Sequence, residues 1–268
     1  MNTDVSTIKK LKNGMTLIHT GTPCKNTKTS SIYLYVRVGS INEEYNERGL
    51  SHFLEHLLFN GTSKRNSYTD IFRDVDEIGG DMNAYTQRDC TCFHITFPNK
   101  YMEEAIDILE DIIFHSHITT EKIEREKLIV IEEENTIRTD AEDMTYKLLF
   151  NMIFGNQSIG LDPIGGKKYV ERYDLNLVNK FRNKFYMPKN MIVSVSSKYA
   201  DETIFKYLKV FEKYHNNDKT IEEIPYKFSN QYIPNVKILE EFSDQYVLGI
   251  GFRSLSIDDK RIYALNYI

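Results

Sequence analysis

The chain has 268 residues, 41% of them hydrophobic and 27% charged, with a formal net charge of −5. That balance suits a globular protein with a sizeable core and excludes the basic stripe of a nucleic-acid binder. Three cysteines make no disulfide framework and fit a reducing compartment.

In chain order, Met1 to Lys12 is polar, without the apolar stretch of a secretion signal or the Arg-rich, acid-poor make-up of a transit peptide. No apolar run has the length of a membrane span, so a soluble, cytoplasmic protein is expected. Lys12 to Met15 forms a tight turn that leads into the apolar run Met15 to Ile18. From Ile32 to Val38, Ile32, Leu34, Val36 and Val38 alternate with Tyr33, Tyr35 and Arg37, the pattern of a half-buried strand. Gly39 to Asn46 is a polar loop. A helix opens at Gly49 or Ser51 and closes at Asn60-Gly61, and another runs from Tyr68 to Ile78 before Gly79-Gly80. Met82 to Phe97 reads as one long strand, or two joined at Gln87-Arg88-Asp89. Met102 to His115 is an amphipathic helix. Thr120 is the expected N-cap of a helix over Glu121 to Arg138. Leu175 to Tyr186 is helical, Met191 to Ser196 an apolar strand and Asp201 to Tyr214 a helix. A polar stretch then divides a domain of residues 1–218 from a tail of residues 219–268. In that tail Gln245 to Phe252 has a strand pattern and Asp258 to Ile268 starts a helix. An apolar, uncapped end at Ala264 to Ile268 reads as a piece of a longer polypeptide.

The run His52-Phe53-Leu54-Glu55-His56 concentrates the chemistry. On a helix, residues three and four apart share a face, so the two imidazoles lie one turn apart with Glu55 on the same side. Two neutral histidines so placed can hold one zinc ion, and a neighbouring carboxylate can take a proton from a water that the metal polarises. The order His-x-x-Glu-His is that of the inverzincins. The plainer reading is two histidines and a glutamate that share an amphipathic helix by chance. Cys90, Cys92 and His94 offer a second grouping of metal-type residues. Their alternation with Thr91, Phe93 and Ile95 indicates a strand, and fourth-ligand candidates are absent nearby.

A catalytic zinc needs a third protein ligand. The helix Glu121 to Arg138 offers Glu124, Glu126, Glu132, Glu133 and Glu134. Glu126 and Glu133 are seven apart and face one way. A glutamate on a buried face needs a partner, which a metal can be, whereas a run such as Glu132-Glu133-Glu134 is usually a solvated face. Spacing alone leaves the choice open.

The stretch Gly49 to Thr62, which contains the histidine motif, closely resembles the M16 zinc peptidases, as do four later stretches in family order. These are Gly79-Gly80-Asp81-Met82-Asn83-Ala84-Tyr85-Thr86, Glu124 through Glu133, Gly160 to Gly166, and Phe185 to Asn190. The resemblance covers roughly residues 8–268. It implies an α+β fold, a mostly antiparallel sheet with helices on one side, followed by the start of a second homologous half. It implies zinc ligands His52, His56 and Glu133, with Glu132 as the neighbouring alternative, Glu55 as general base, and Glu126 as the carboxylate that orients the site. Asn83, Ala84 and Tyr85 would lie on the strand that pairs with a peptide substrate. Family members pair two halves across the cleft, and the second contributes an arginine and a tyrosine that hold the substrate. That pair is not recognisable here, so a C-terminal half or second subunit is expected to complete the site.

The reaction implied is hydrolysis of peptides or unfolded segments, with the substrate added as an extra strand. Two other classes compete with it. A non-catalytic subunit would keep the fold, but here both histidines and Glu55 are intact. A structural zinc module would need four protein ligands and would leave Glu55 without a role.

Overall fold

Period-two alternation builds the sheet and period-3.6 patterning covers one face of it. In the computed structural model the described residues are 6–21, 26–218, 221, 235–240, 246–252, 254–255 and 259–265. They belong to two compact units, Met1–Glu134 with Asp162–Pro225, and Asn135–Leu161 with Tyr226–Ile268.

The first unit contains strands β1 (Thr7–Lys10), β2 (Thr16–Gly21), β3 (Thr29–Val36), β4 (Asp81–Thr86), β5 (Thr91–Pro98) and β6 (Met191–Ser197). They pair in the order β1-β2-β6-β3-β5-β4. Only β2 and β6 run parallel; the remaining pairs are antiparallel. Leu17, Ile32, Leu34, Phe93, Ile95, Val193 and Val195 are fully buried on one face. Tyr33, Tyr35 and His94 on the other face are half-buried. Each inward side chain of this kind contributes about 1.5–3 kcal/mol relative to exposure. The α+β architecture is thus as expected.

Among the described residues the helices are α1 (Leu50–Leu58), α2 (Tyr68–Glu77), α3 (Met102–His115), α4 (Thr120–Thr139), α5 (Ala141–Phe154), α6 (Lys167–Val170), α7 (Leu175–Phe185), α8 (Asp201–Leu208) and α9 (Ile262–Leu265). α1 packs against β4, β5 and α7, α3 against β5, and α8 against β2. α1 buries Leu50, Phe53, Leu54, Leu57 and Leu58, which leaves its histidine face toward α4. The leading segment of the first unit ends within α4, at Glu134, and the unit resumes at Asp162.

Several expectations need correction. The stretch Met82 to Phe97 is two strands joined by a turn in which Gln87 N–H donates to the Cys90 carbonyl at 2.8 Å. Thr119, rather than Thr120, caps α4: its hydroxyl accepts from Lys122 N–H at 3.2 Å. The helix at Asp201 stops at Leu208 and tightens into a 3₁₀ turn over Lys209–Lys213. β1 and α5 were not expected. β1 is too polar to show a strand pattern, and its order comes from pairing with β2. In α5 the apolar residues Leu148, Leu149, Phe150, Ile153 and Phe154 spread around the helix, so no single face signals it.

In the second unit, Asp140 caps α5 by accepting from Glu142 and Asp143 N–H, both at 2.9 Å. The strand expected over Gln245–Phe252 is not formed over Tyr246–Phe252. Alternation alone does not make a strand, which needs a neighbour to satisfy its backbone, and no strand of the second unit appears among the described residues. Of the expected terminal helix, Ile262–Leu265 is helical, and residues 266–268 lie outside the described set. The polar divide at residues 219–234 also falls almost wholly outside it.

Candidate metal centre

The site starts at the N-terminus of α1. Gly49, the N-cap, has φ +88°, a left-handed conformation that suits glycine. A Cβ there would lie 2.6 Å from the Ile164 carbonyl oxygen and 2.7 Å from Gly165 Cα, so the loop over residues 162–166 is pressed against the helix start. The first N–H groups of a helix lack intrahelical partners. Here Gly49 N–H donates to Glu43 Oε2 at 2.7 Å and Ser51 N–H to Glu43 Oε1 at 2.8 Å. Glu43 is buried, and burial pushes its carboxyl up to about 7 against the pull of those two donors.

One turn on, the His52 and His56 rings are 4.5 Å apart between centroids. α4 supplies the opposing wall. His56 Nδ1–H donates to Glu126 Oε1 at 2.9 Å, and Asn60 donates to Glu126 Oε2 at 2.5 Å. Burial would raise Glu126, but these donors win and hold it below the usual carboxylate range. With Nδ1 engaged, His56 directs Nε2 at Glu133 Oε2, 3.5 Å away; His52 Nε2 is 3.7 Å from Glu133 Oε1. One donor atom from each of His52, His56 and Glu133 lies within 4.8 Å of the others. Three donors around a tetrahedral zinc with bonds of about 2.0–2.1 Å are about 3.3 Å apart, so the set fits such an ion. A further observation points the same way: Glu133 Oε2 is buried without a hydrogen-bond partner. Burial, then the neighbouring His56, lowers His52 to about 4, which keeps it neutral. Burial opposes charge on His56 as well, but Glu126 outweighs it and raises that imidazole. Burial, with Glu126 and Asp162 nearby, raises Glu133.

The other candidates on α4 do different things. Glu124 is 60% exposed and pairs with Lys127, Glu132 is exposed, and Glu134 turns toward the loop beyond Gly165. Cys92 and His94 sit on β5 as a strand reading requires, and among the described residues the three-residue grouping that could hold a metal is His52, His56 and Glu133.

Glu55 stands outside that grouping. It faces β4, where Thr86 Oγ1 donates to its Oε2 at 2.5 Å. Burial pushes its carboxyl up to about 7, with Thr86 and His56 pulling the other way. β4 is an edge of the sheet, with β5 on one side and, among the described residues, no strand on the other. Asn83 is exposed on it, Ala84 and Tyr85 are half-buried, and Asn83 Oδ1 accepts from Ala84 N–H at 2.8 Å. Sequence reasoning missed Glu43, Thr86 and Asn60. Glu43 sits in an ordinary polar loop beside Glu44, and nothing local separates the buried carboxylate from the exposed one.

Residues 172–268 match the profile described as the peptidase M16 inactive domain. The chain is 28% identical over 254 residues to the uncharacterized zinc protease YmxG of Bacillus subtilis, covering 95% of this chain and 60% of that protein. It is 30% identical over 201 residues to the mitochondrial-processing peptidase subunit beta of Saccharomyces cerevisiae, covering 74% of this chain and 42% of that one. The crystal structure of a protease from Helicobacter pylori superposes with a TM-score of 0.80 at 25% identity, over 85% of this chain and 55% of the other. The chain thus spans about 60% of the length of its first bacterial relatives. Residues 22–165, more than half of the chain and including the whole histidine motif and Glu133, match insulinase, peptidase family M16, and the chain belongs to that family.

Proposed function

We propose that this chain carries the hydrolytic site of a zinc-dependent endopeptidase, with His52, His56 and Glu133 as the metal ligands and Glu55 as general base. The observation that carries this reading is the division of labour among the four side chains. Three offer donor atoms within 4.8 Å of one another, and the fourth stands beside them, tied to Thr86 instead. Zinc held there would supply Lewis acidity toward a water molecule and a peptide carbonyl. Thr86 holds Glu55 Oε2, which leaves Oε1 to accept the proton of the attacking water and pass it to the leaving amine nitrogen. A carboxyl near 7 suits both directions of that transfer at neutral pH. Glu126 fixes the tautomer of His56 by accepting its Nδ1–H. The free side of β4, at Asn83, Ala84 and Tyr85, is suited to pair with an extended peptide main chain. Such pairing tolerates many side chains, so peptides and unfolded segments are the substrate class. A C-terminal half or second subunit would form the facing wall, in keeping with the greater length of the relatives.

One observation favours a non-catalytic subunit instead, the match of residues 172–268 to a domain described as inactive. Metal analysis and turnover separate the two readings. His52→Ala, His56→Ala and Glu133→Gln should each lose zinc. A Glu133→Gln protein that keeps zinc while Glu132→Gln loses it refutes the ligand choice. Cleavage of a quenched peptide library should be weak for the chain alone, should rise when the missing half is supplied, and should stop with a chelator. A zinc-loaded, completed enzyme that cleaves nothing supports the non-catalytic reading.

A further inference from the structure

α4 is docked on the first unit mainly by charged side chains. Its buried residues there are Ile123, Glu126, Lys127, Val130 and Glu134. Glu133 adds no anchor of its own: its carboxylate is 3.5–3.7 Å from the imidazole nitrogens, and Oε2 has no hydrogen-bond partner. Its position is therefore set by the α4 backbone, and it lies one residue before the end of the first unit's leading segment, Met1–Glu134.

The next residue is placed to supply an anchor. Glu134 points about 100° around the helix from Glu133, and its Oε2 accepts from Lys167 N–H at 2.7 Å. Lys167 follows the glycine pair whose first member touches the start of the histidine helix. A Cβ on Gly165 would lie 2.5 Å from the Arg48 carbonyl oxygen and 2.6 Å from Gly49 Cα. Gly166 passes beside Glu134, with its own would-be Cβ 3.5 Å from Glu134 Oε1. The contacts form a closed ring. α1 meets α4 through His56 and Glu126, α4 meets the loop through Glu134, and the loop meets α1 through Gly165 and Gly49.

We infer that Glu134 is a positioning residue for the metal centre: by holding the loop over residues 162–167, it sets the distance between the third ligand on α4 and the histidines on α1. The inference rests on the ligand set proposed above. The Lys167 amide is one end of the contact, and a proline there removes its donor and puts a ring carbon where the amide hydrogen met Glu134. Lys167 is the first residue of α6, where proline is tolerated, and its exposed pairing with Glu171 at 3.8 Å counts for little.

The test uses the full zinc-loaded chain. Zinc affinity is measured by competition with a fluorescent chelator, and site geometry by the absorption spectrum of the cobalt-substituted protein. Glu134→Ala should weaken zinc about 10- to 100-fold, the scale for groups that orient ligands, and should alter the cobalt bands. Glu134→Gln, which keeps an acceptor for the amide, should stay within about threefold of the parent. Lys167→Pro should resemble Glu134→Ala, and the double variant should be no worse than either single one. Glu133→Gln is the control for the underlying reading: if it binds zinc normally, the ligand assignment fails and the inference falls with it. If Glu133→Gln loses zinc while folded Glu134→Ala keeps parental affinity and cobalt spectrum, the ligand assignment stands and the positioning role is overturned. Equal losses in Glu134→Ala and Glu134→Gln would also overturn it, since the acceptor would then be irrelevant.

Discussion

Replacing Gly49 by alanine tests whether the start of the histidine helix is held by close backbone packing. Two costs add. At φ +88° an L-residue is strained by roughly 1–2 kcal/mol. The new Cβ would also fall 2.6 Å from the Ile164 carbonyl oxygen and 2.7 Å from Gly165 Cα. Both obstacles are backbone, so no rotamer relieves them, and overpacking of this kind costs about 1–3 kcal/mol. A total near 3 kcal/mol corresponds to a fall in melting temperature of roughly 6–12 °C for a domain of this size. Gly79→Ala is the matched control. Its φ of +62° is also left-handed, but the added Cβ meets only Pro98 Cγ at 3.9 Å, so a loss of about 1–2 kcal/mol is expected. Thermal unfolding of the zinc-free chain, followed by circular dichroism, compares the two. If Gly49→Ala is no less stable than Gly79→Ala, the close approach carries no energy and the packing argument is wrong.

Three further outcomes are expected. Glu55→Gln should retain zinc by metal analysis yet lose at least about 10²-fold in turnover of the completed enzyme; retained turnover would make Glu55 a bystander. Glu126→Ala should weaken zinc about 10- to 100-fold in chelator competition, because His56 loses the acceptor that fixes its ring; unchanged affinity would remove Glu126 from the site. Glu43 makes a pH prediction. Its carboxyl is raised from 4.5 to about 7 in the folded chain, so between those values the native state binds more protons than the unfolded one. Stability is therefore greatest below about pH 4.5 as far as Glu43 is concerned, and its contribution is lost as pH rises through about 7. The change is at most on the order of 3 kcal/mol. Glu43→Gln should flatten the melting-temperature profile between pH 5 and 8, whatever its absolute stability, and parallel profiles would exclude Glu43 as the source.

Much of the fold is legible locally. The alternation of Ile32, Leu34 and Val36 marks β3, and the apolar stripe of Met102 to His115 marks α3 to the residue. Both are short-range patterns that a sheet face or helix face imposes on its own residues. His52, Glu55 and His56 are legible for the same reason, since they lie within two turns of one helix. Where a strand or helix owes its order to a distant neighbour, the local pattern is silent or misleading. β1 forms on β2 without a pattern of its own, and Tyr246–Phe252 has the pattern without the strand.

Amino-acid order alone therefore determined the histidine pair, its adjacent carboxylate and most elements, because helical and strand periodicities are written within a few residues. Tertiary structure decided the rest. It placed β6 between β2 and β3, although β6 comes last of the six strands in the chain. Among six glutamates on one helix it brought Glu133 to the imidazoles, sent Glu126 to His56 across 70 residues, and turned Glu134 to the loop. It chose Glu43 over Glu44 as the acceptor at the α1 terminus, and Thr86 as the partner of Glu55. Apart from Glu43, which lies six and eight residues from its two donors, each of these is a contact between segments far apart in the chain, made by side chains of ordinary type. Its specificity lies in the packing that brings the segments together and leaves no mark in the sequence around either partner.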